Sequence, residues 1–598
     1  MKEYVMGNGA IALGALAAGV NLVSGYPGTP SSEIIETIAG YSHQGVHLEW
    51  SVNEKAALEV AASASYAGAR TMVTMKQVGL NVASDPLMSL AYVGVKGGMV
   101  ITVADDPGPI SSQTEQDTRR FADFCRIPVF DPSCPEEAYD MIQDAFAYSE
   151  KYNTPVLFRP TTRVCHGYAS IEIPEKFTPK KYEGFIKDSK KWVIFPRLSY
   201  ENHGKIEGRN VHIGEDFSKN KYNTIEGEKS RKAVIATGIS YAYTREYLKN
   251  HKDITLIRIG TPYPFPESFM LEALKNIDEV ICIEELSPYV EEQLLKLCGK
   301  HHLAVKVSGK LDGTVPHNGE NSTNLVAGIL GRFLGIENIR QGVNTGDMPK
   351  LPMRPPVLCA GCPHRASFYA VKQAMKGKKA YFCGDIGCYT LGNAMPLDMV
   401  DTCLCMGAGI TMAQGFNWID KDATAFAFVG DSTFFASGMT GVVNAVYNEA
   451  DMILCVLDNS TTAMTGHQPH PGTGRNMMGH FVEKVDIEKV LLGIGVKKVI
   501  VTDPLDLVST VEAIKECSAL KGVKAIIFKS PCVAITKPIG YMTVNDKCIN
   551  CKKCIREIGC PALITIDKNV IIDKNLCTGC GLCRQICPVG AIGGETDE

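Results

Sequence analysis

The sequence predicts an α/β protein of doubly wound parallel sheets that ends in a small cysteine-rich module. Three observations carry this. Short, near-continuous apolar runs alternate with helical patterns along most of the chain, the pattern of parallel sheets covered by helices on both faces. The 598 residues are 45% apolar and 21% charged, which is ample for several independent cores. Eight of the 22 cysteines fall between Cys548 and the end of the chain. The formal net charge of −4 excludes a surface built chiefly for nucleic acid, which needs a basic excess.

Residues 6–23 are small and apolar behind Lys2 and imitate a secretory leader. Gly7, Gly9 and Gly14 break up the apolar stretch, so it reads instead as a buried helix. No run of about 20 apolar residues occurs, and no membrane span is expected. Residues 71–75 and 98–103 read as buried strands and the alanine-rich residues 54–69 as a helix, in a first domain spanning 1–180. Residues 177–229 turn polar and lysine-rich and read as an irregular connecting segment. Strands at 232–238, 255–258 and 280–283, each followed by a helical pattern, give a smaller α/β domain within 181–350. The proline-rich residues 348–356 read as a linker. A third α/β domain, 351–540, holds the apolar strands 423–429 and 452–457, and the tail follows from 541.

In the tail, Cys577, Cys580, Cys583 and Cys587 follow C-x2-C-x2-C-x3-C ahead of Pro588. That is the run of bacterial two-cluster ferredoxins, whose fourth cysteine ligates the other cluster. Cys548, Cys551 and Cys554 open a second run, with five residues before Cys560 and then Pro561. The resemblance implies one [4Fe–4S] cluster on Cys548, Cys551, Cys554 and Cys587, and another on Cys577, Cys580, Cys583 and Cys560. Zinc sites more often use two separated C-x2-C pairs, and disulfides require an oxidising compartment. Clusters of this kind imply a reducing, anaerobic cytoplasm.

Gly430-Asp431-Ser432 closes the strand 423–429, and Asn459 follows the strand 452–457. In a parallel sheet both emerge on the carboxyl edge, where ligands bind. Glycine admits a phosphate close to the backbone, and Asp and Asn oxygens suit Mg²⁺ on a diphosphate. The pair resembles the thiamine diphosphate motif, which opens on Gly-Asp and closes on Asn. The resemblance implies Asp431 and Asn459 as side-chain magnesium ligands, the Thr461 carbonyl as a third, and Gly430, Ser432, Gly384 and Asp385 as cofactor neighbours.

Cys359-Ala360-Gly361-Cys362-Pro363-His364 and Cys383-Gly384-Asp385-Ile386-Gly387-Cys388-Tyr389 resemble strings of the 2-oxoacid:ferredoxin oxidoreductase family. Pro363-His364 departs from the glycine usual there. The resemblance implies a third cluster near the thiamine on Cys359, Cys362, Cys388 and Cys532. Asn53-Glu54-Lys55-Ala56-Ala57 resembles the helix whose glutamate protonates the thiamine aminopyrimidine, with Glu49 as the alternative acid. Such an acid needs an apolar place that raises its pKa. The string from Tyr26 to Glu33 resembles a family loop whose threonine, here Thr29, lines the substrate pocket, with Ser31 or Ser32 as helix N-cap. Gln77–Asn81 resembles another pocket loop. The segment 108–113 with Arg119 and Arg120 is the expected carboxylate site, since a guanidinium fork suits a carboxylate.

The resemblance covers nearly the whole chain. It implies thiamine-binding doubly wound domains, a smaller middle α/β domain and a two-cluster ferredoxin domain. With this tail, the layout looks like that of large subunits acting on arylpyruvates such as indolepyruvate. The implied reaction is oxidative decarboxylation with coenzyme A to an aryl-acetyl-CoA and CO₂, with reduction of ferredoxin. A smaller beta subunit carrying the gamma-type domain is the implied partner, in a heterodimer or its dimer. Pyruvate or branched-chain oxoacids share every motif quoted. A different class, an electron-transfer subunit on a degenerate thiamine fold, is opposed by the joint presence of Glu54, Asp431 and Asn459.

Overall fold

A computed structural model describes the chain apart from residues 1, 42–44, 229, 250, 252, 336–348, 350 and 595–598. It divides into two compact units, Met1–Pro349 and Lys350–Glu598. Of the expected linker 348–356, positions 348 and 350 lie outside the described residues, and the rest has no regular structure.

In the first unit the apolar runs form a six-stranded, wholly parallel sheet. Its order is His47–Trp50, Leu22–Gly25, Thr71–Lys76, Met99–Ala104, Val156–Phe158, Val129–Phe130. The central strands are buried on both faces, so they carry unbroken apolar runs and not an alternation. Helix Gly7–Ala17 is buried along most of its length. Its small residues serve close packing: a Cβ on Gly14 would lie 2.5 Å from the Tyr139 carbonyl oxygen of helix Pro135–Tyr152. Among the described residues no helix is long and apolar enough to cross a membrane.

The second sheet of this unit runs Lys306–Ser308, Glu279–Ile283, Lys232–Ala236, Thr255–Ile259, all parallel, with Asn223–Glu226 antiparallel at its edge. Leu58, Ile101 and Val129 share one core with Ile257, Val280 and Leu294, which joins the two sheets. The expectation of an irregular segment over 177–229 is corrected here. A helix of 22 residues, Pro196–Phe217, crosses it, opened by a proline in its first turn. Ile206, Ile213 and Phe217 are its only apolar buried side chains, and Gly204 and Gly208 face open space. So thin an apolar stripe, diluted by glycine, hides the helical period.

The second unit is built on a parallel sheet in the order Ala380–Cys383, Thr424–Gly430, Met452–Asp458, Val523–Lys529, Lys498–Thr502. In the tail, Met542–Val544 pairs with Ile592–Gly594, and Leu563–Ile566 with Asn569–Ile572. Helices Lys553–Ile558 and Leu582–Ile586 each begin inside a cysteine run. The tail is not a separate bead. Ile558, Leu563, Ile586 and Ile592 belong to the same core as Phe368, Phe426 and Phe528 of the sheet and its helices.

Candidate functional site

Strands Thr424–Gly430 and Met452–Asp458 are neighbours, with Gly430 opposite Leu457, so Asp431 and Asn459 leave the sheet at one carboxyl edge. The Ser460 amide donates to Asp431 Oδ2 at 2.8 Å and to Asp458 Oδ1 at 3.1 Å, tying the two turns together. Ser460 has φ +61°, a left-handed conformation that a serine keeps only where its surroundings impose it. The Asn459 side-chain nitrogen lies 3.1 Å from His364 Nε2. Burial pushes the His364 imidazolium down to about 4, so the ring is neutral near pH 7. His470 Nε2 sits 3.1 Å from Asp431 Oδ2, but angled outside hydrogen-bond geometry, so this buried nitrogen has no hydrogen-bond partner. Gly430 has no room for a side chain, because a Cβ would lie 2.6 Å from the Tyr389 ring. Asp431, Ser432, Asn459 and Thr461 are all buried. Hard oxygens beside an orphaned imidazole nitrogen suit a metal-bound diphosphate.

None of the 22 cysteines is disulfide-bonded. Cys560, Cys577, Cys580 and Cys583 line one small cavity. Cys548, Cys551, Cys554 and Cys587 line another. The last cysteine of each run thus lies with the other run, and the longer spacing before Cys560 does not prevent it. Among the described residues no three His, Cys, Asp or Glu side chains close on a single metal ion. Four thiols around one cavity match the four cysteine ligands of a cubane. Burial, then the neighbouring Cys580, Cys560 and Cys577, push the Cys583 thiol up to about 12. The Cys583 thiol stays protonated unless a cationic group takes its sulfur.

In the third set Cys388 follows strand Ala380–Cys383 and Cys532 follows strand Val523–Lys529, while Cys359 and Cys362 precede helix Pro363–Ala374. Burial, then Cys532 and Cys359, push the Cys388 thiol up to about 11. Cys362 goes up to about 12 through burial, with Cys359 adding to the rise. The Cys532 amide donates to the Asn459 carbonyl at 3.0 Å, so this member of the set hangs directly on the Asn459 turn.

In the first unit Glu54 opens helix Glu54–Tyr66, capped by Asn53, whose side chain accepts from the Ala56 amide at 2.9 Å. Glu54 is 7% exposed, and burial pushes its carboxyl up to about 7. A Cβ on Gly79 would lie 2.5 Å from Glu54 Oε1, so residues 77–81, expected as a loop, instead lie in the short helix Gln77–Val82, which closes on the acid. Glu49 is instead partly exposed and accepts from Ser51 Oγ at 2.7 Å. Ser31 stands at the N-cap of helix Ser32–Ala39, but its hydroxyl donates back to the Gly28 carbonyl at 2.8 Å and caps nothing. Ser111 Oγ donates to the Thr29 carbonyl at 3.0 Å, and Lys76 Nζ donates to the Ser111 carbonyl at 2.7 Å. Burial holds the Lys76 ammonium below the usual lysine range, against the pull of Asp106 and Glu54. Its stem covers Gly28, where a Cβ would lie 3.0 Å from Lys76 Cδ.

Three family models match the chain. They are the C-terminal binding domain of thiamine pyrophosphate enzymes over 385–528, the thiamine diphosphate-binding domain of pyruvate flavodoxin/ferredoxin oxidoreductases over 13–196, and a 4Fe-4S binding domain over 570–593. The chain is 38% identical to the indolepyruvate oxidoreductase subunit IorA of Methanothermobacter thermautotrophicus, across 99% of this chain and 97% of that one. It is 39% identical to the subunit IorA of Thermococcus kodakarensis, across 99% and 96%. This chain belongs to the indolepyruvate oxidoreductase IorA family. More distantly, it is 26% identical to the 2-oxoglutarate synthase subunit KorA of Methanocaldococcus jannaschii over 52% of its length.

Not every residue expected of an IorA-family site stands where a ligand could reach it. Arg119 is fully buried: Nη1 donates to Glu284 at 2.7 Å, Nη2 to Asp117 at 2.6 Å, and Nη2 also to the Glu285 and Ser287 carbonyls. Its fork is therefore closed to a substrate carboxylate, and Arg120 is spent on Glu292 at 2.5 Å. Gly384 and Asp385 are likewise committed to the protein. The Gly384 amide donates to the Thr402 carbonyl at 2.7 Å, while Asp385 accepts from the Gly407 amide at 2.8 Å and the Tyr389 hydroxyl at 2.9 Å. Residues that sequence reasoning missed in this IorA-family chain are His470 and Lys76, and His364 was noted there only as a departure. Arg119→Met is expected to destabilise the protein by about 3–5 kcal/mol, because it strands buried carboxylates. Urea unfolding reads this. An unmoved midpoint with a raised KM would restore the substrate role.

Proposed function

We propose that this chain is the large subunit of an enzyme that oxidatively decarboxylates arylpyruvates, indolepyruvate foremost, with coenzyme A, and passes the electrons to ferredoxin. The observation that carries this reading is the Cys532–Asn459 bond. It ties Cys532, one member of a cysteine set suited to electron transfer, to the turn suited to a diphosphate, which supports the reading. Full-length identity to indolepyruvate oxidoreductase subunits supports the substrate class.

When bound, thiamine diphosphate supplies an electron sink for decarboxylation. Asp431 and Asn459, with the Thr461 carbonyl, would hold its Mg²⁺. Glu54 keeps a proton at its carboxyl near neutral pH, ready to be shared with the aminopyrimidine. Lys76, beside Glu54 and the Thr29 loop, takes over the carboxylate-binding role from Arg119 and Arg120. Three [4Fe–4S] clusters would carry single electrons: two in the tail, and one on Cys359, Cys362, Cys388 and Cys532. The partners are a smaller beta subunit with the gamma-type domain, coenzyme A and ferredoxin, in the cytoplasm.

The test is an anaerobic viologen-reduction assay of the chain with its small partner, comparing indolepyruvate, phenylpyruvate, pyruvate and 2-oxoisovalerate. The aryl substrates should lead in kcat/KM by about tenfold or more, the discrimination that apolar pocket contacts supply. A preference for pyruvate or 2-oxoisovalerate would leave only the broader oxoacid class. A chain that binds no thiamine diphosphate would be an electron-transfer subunit. In the same assay Lys76→Met should raise KM roughly 10–100-fold with kcat less affected, the loss of one charged hydrogen bond used in binding.

A further inference from the structure

Arg365, on helix Pro363–Ala374, is 4% exposed. Its Nη1 donates to the carbonyls of Ile558 and Gly559, and Nη2 to those of Leu358 at 2.6 Å and Cys359 at 3.5 Å. Its Nε is buried with no partner. Among the described residues it forms no ion pair with a carboxylate. An arginine cannot shed its proton, so this interior holds a full positive charge that carbonyl dipoles alone do not neutralise.

The missing negative charge has an evident source. Arg365 lines the cavity of Cys560, Cys577, Cys580 and Cys583, together with Cys362 of the pair that precedes helix Pro363–Ala374. The two cysteine loops press together there. Gly361 has φ +72°, and a Cβ on it would lie 1.9 Å from Thr578 Oγ1. We propose that Arg365 is the shared counter-cation of two iron–sulfur clusters, one on the Cys359/Cys362 set and one on the Cys560/Cys577/Cys580/Cys583 set, and that it makes both easier to reduce. The inference rests on both sets holding clusters. Each reduction adds one negative charge beside a fixed cation in a low-dielectric interior, and net charge is one of the quantities that set cluster potentials.

The test is potentiometric titration, followed by electron paramagnetic resonance, of the anaerobically prepared full chain with its partner subunit. Arg365→Gln, neutral but polar, should shift the one-electron reduction equilibrium of both clusters about tenfold towards the oxidised form, about 59 mV. Arg365→Lys, which keeps the charge and loses the fork, should hold wild-type potentials. If the Gln variant fails to assemble clusters while the Lys variant assembles them normally, charge is again the requirement. Unchanged potentials in the Gln variant, equal shifts in both variants, or equal failure of both to fold would make Arg365 a carbonyl clamp only and overturn the proposal. Wild-type protein lacking either cluster would instead refute the cluster assignment, and the proposal with it.

Discussion

Glu54→Gln is expected to lower kcat by about 100- to 10,000-fold, the usual worth of a positioned general acid. Binding of thiamine diphosphate should be nearly retained, since the amide keeps the shape and one hydrogen-bonding oxygen. The same substitution should make the apo-protein more stable in alkali. Burial raises the Glu54 carboxyl from 4.5 to about 7. Between those values the unfolded chain ionises this group while the folded chain still holds the proton, so the stability present below about pH 4.5 is lost as pH rises towards 7. At about 1.4 kcal/mol per unit, the cost reaches ~3 kcal/mol at pH 8. Glutamine escapes it. Urea unfolding without cofactor should show the variant ahead of wild type by up to ~3 kcal/mol at pH 8, and the gap closing by pH 5. A gap independent of pH, or an unaffected kcat, would remove Glu54 from the mechanism.

Replacing Cys359 and Cys362 by serine should remove about four irons per chain and abolish reduction of ferredoxin. The spectroscopic signals of the two tail clusters should survive. Cys388 and Cys532 stay close together in such a variant, but two thiolates do not hold a cubane. Iron analysis and anaerobic turnover read the two effects separately. Unchanged iron would leave only the tail clusters, and electrons would then have to reach them without a stop at the Asn459 turn.

Much of this molecule is legible in its sequence, and for identifiable reasons. Strands such as Met99–Ala104 and Met452–Asp458 are buried on both faces and show as solid apolar runs. Asp431 and Asn459 stand at strand ends, but their roles, like the crossed pairing of the tail cysteines, are what the family resemblance implies. What stays hidden depends on partners distant in the chain. Arg119 reads as a fork for the substrate carboxylate, and only Glu284, 165 positions later in the chain, closes it. Lys76 reads as a polar strand end, and only the fold sets Ser111 and the Thr29 loop around it. The helix Pro196–Phe217 is invisible because its polar and glycine residues outnumber a three-residue apolar stripe.

The core that joins Ile558, Leu563, Ile586 and Ile592 to Phe368, Phe426 and Phe528 bears on kinetics. A carrier on a flexible tether meets its donor at a rate governed by linker length and effective concentration. A carrier sharing its donor's interior has no search to make. Under the proposed function, hand-over between the Asn459 edge and the tail is first-order within the unit and should be indifferent to dilution, viscosity and salt. Only the outermost step, to a diffusing acceptor, should respond to those conditions.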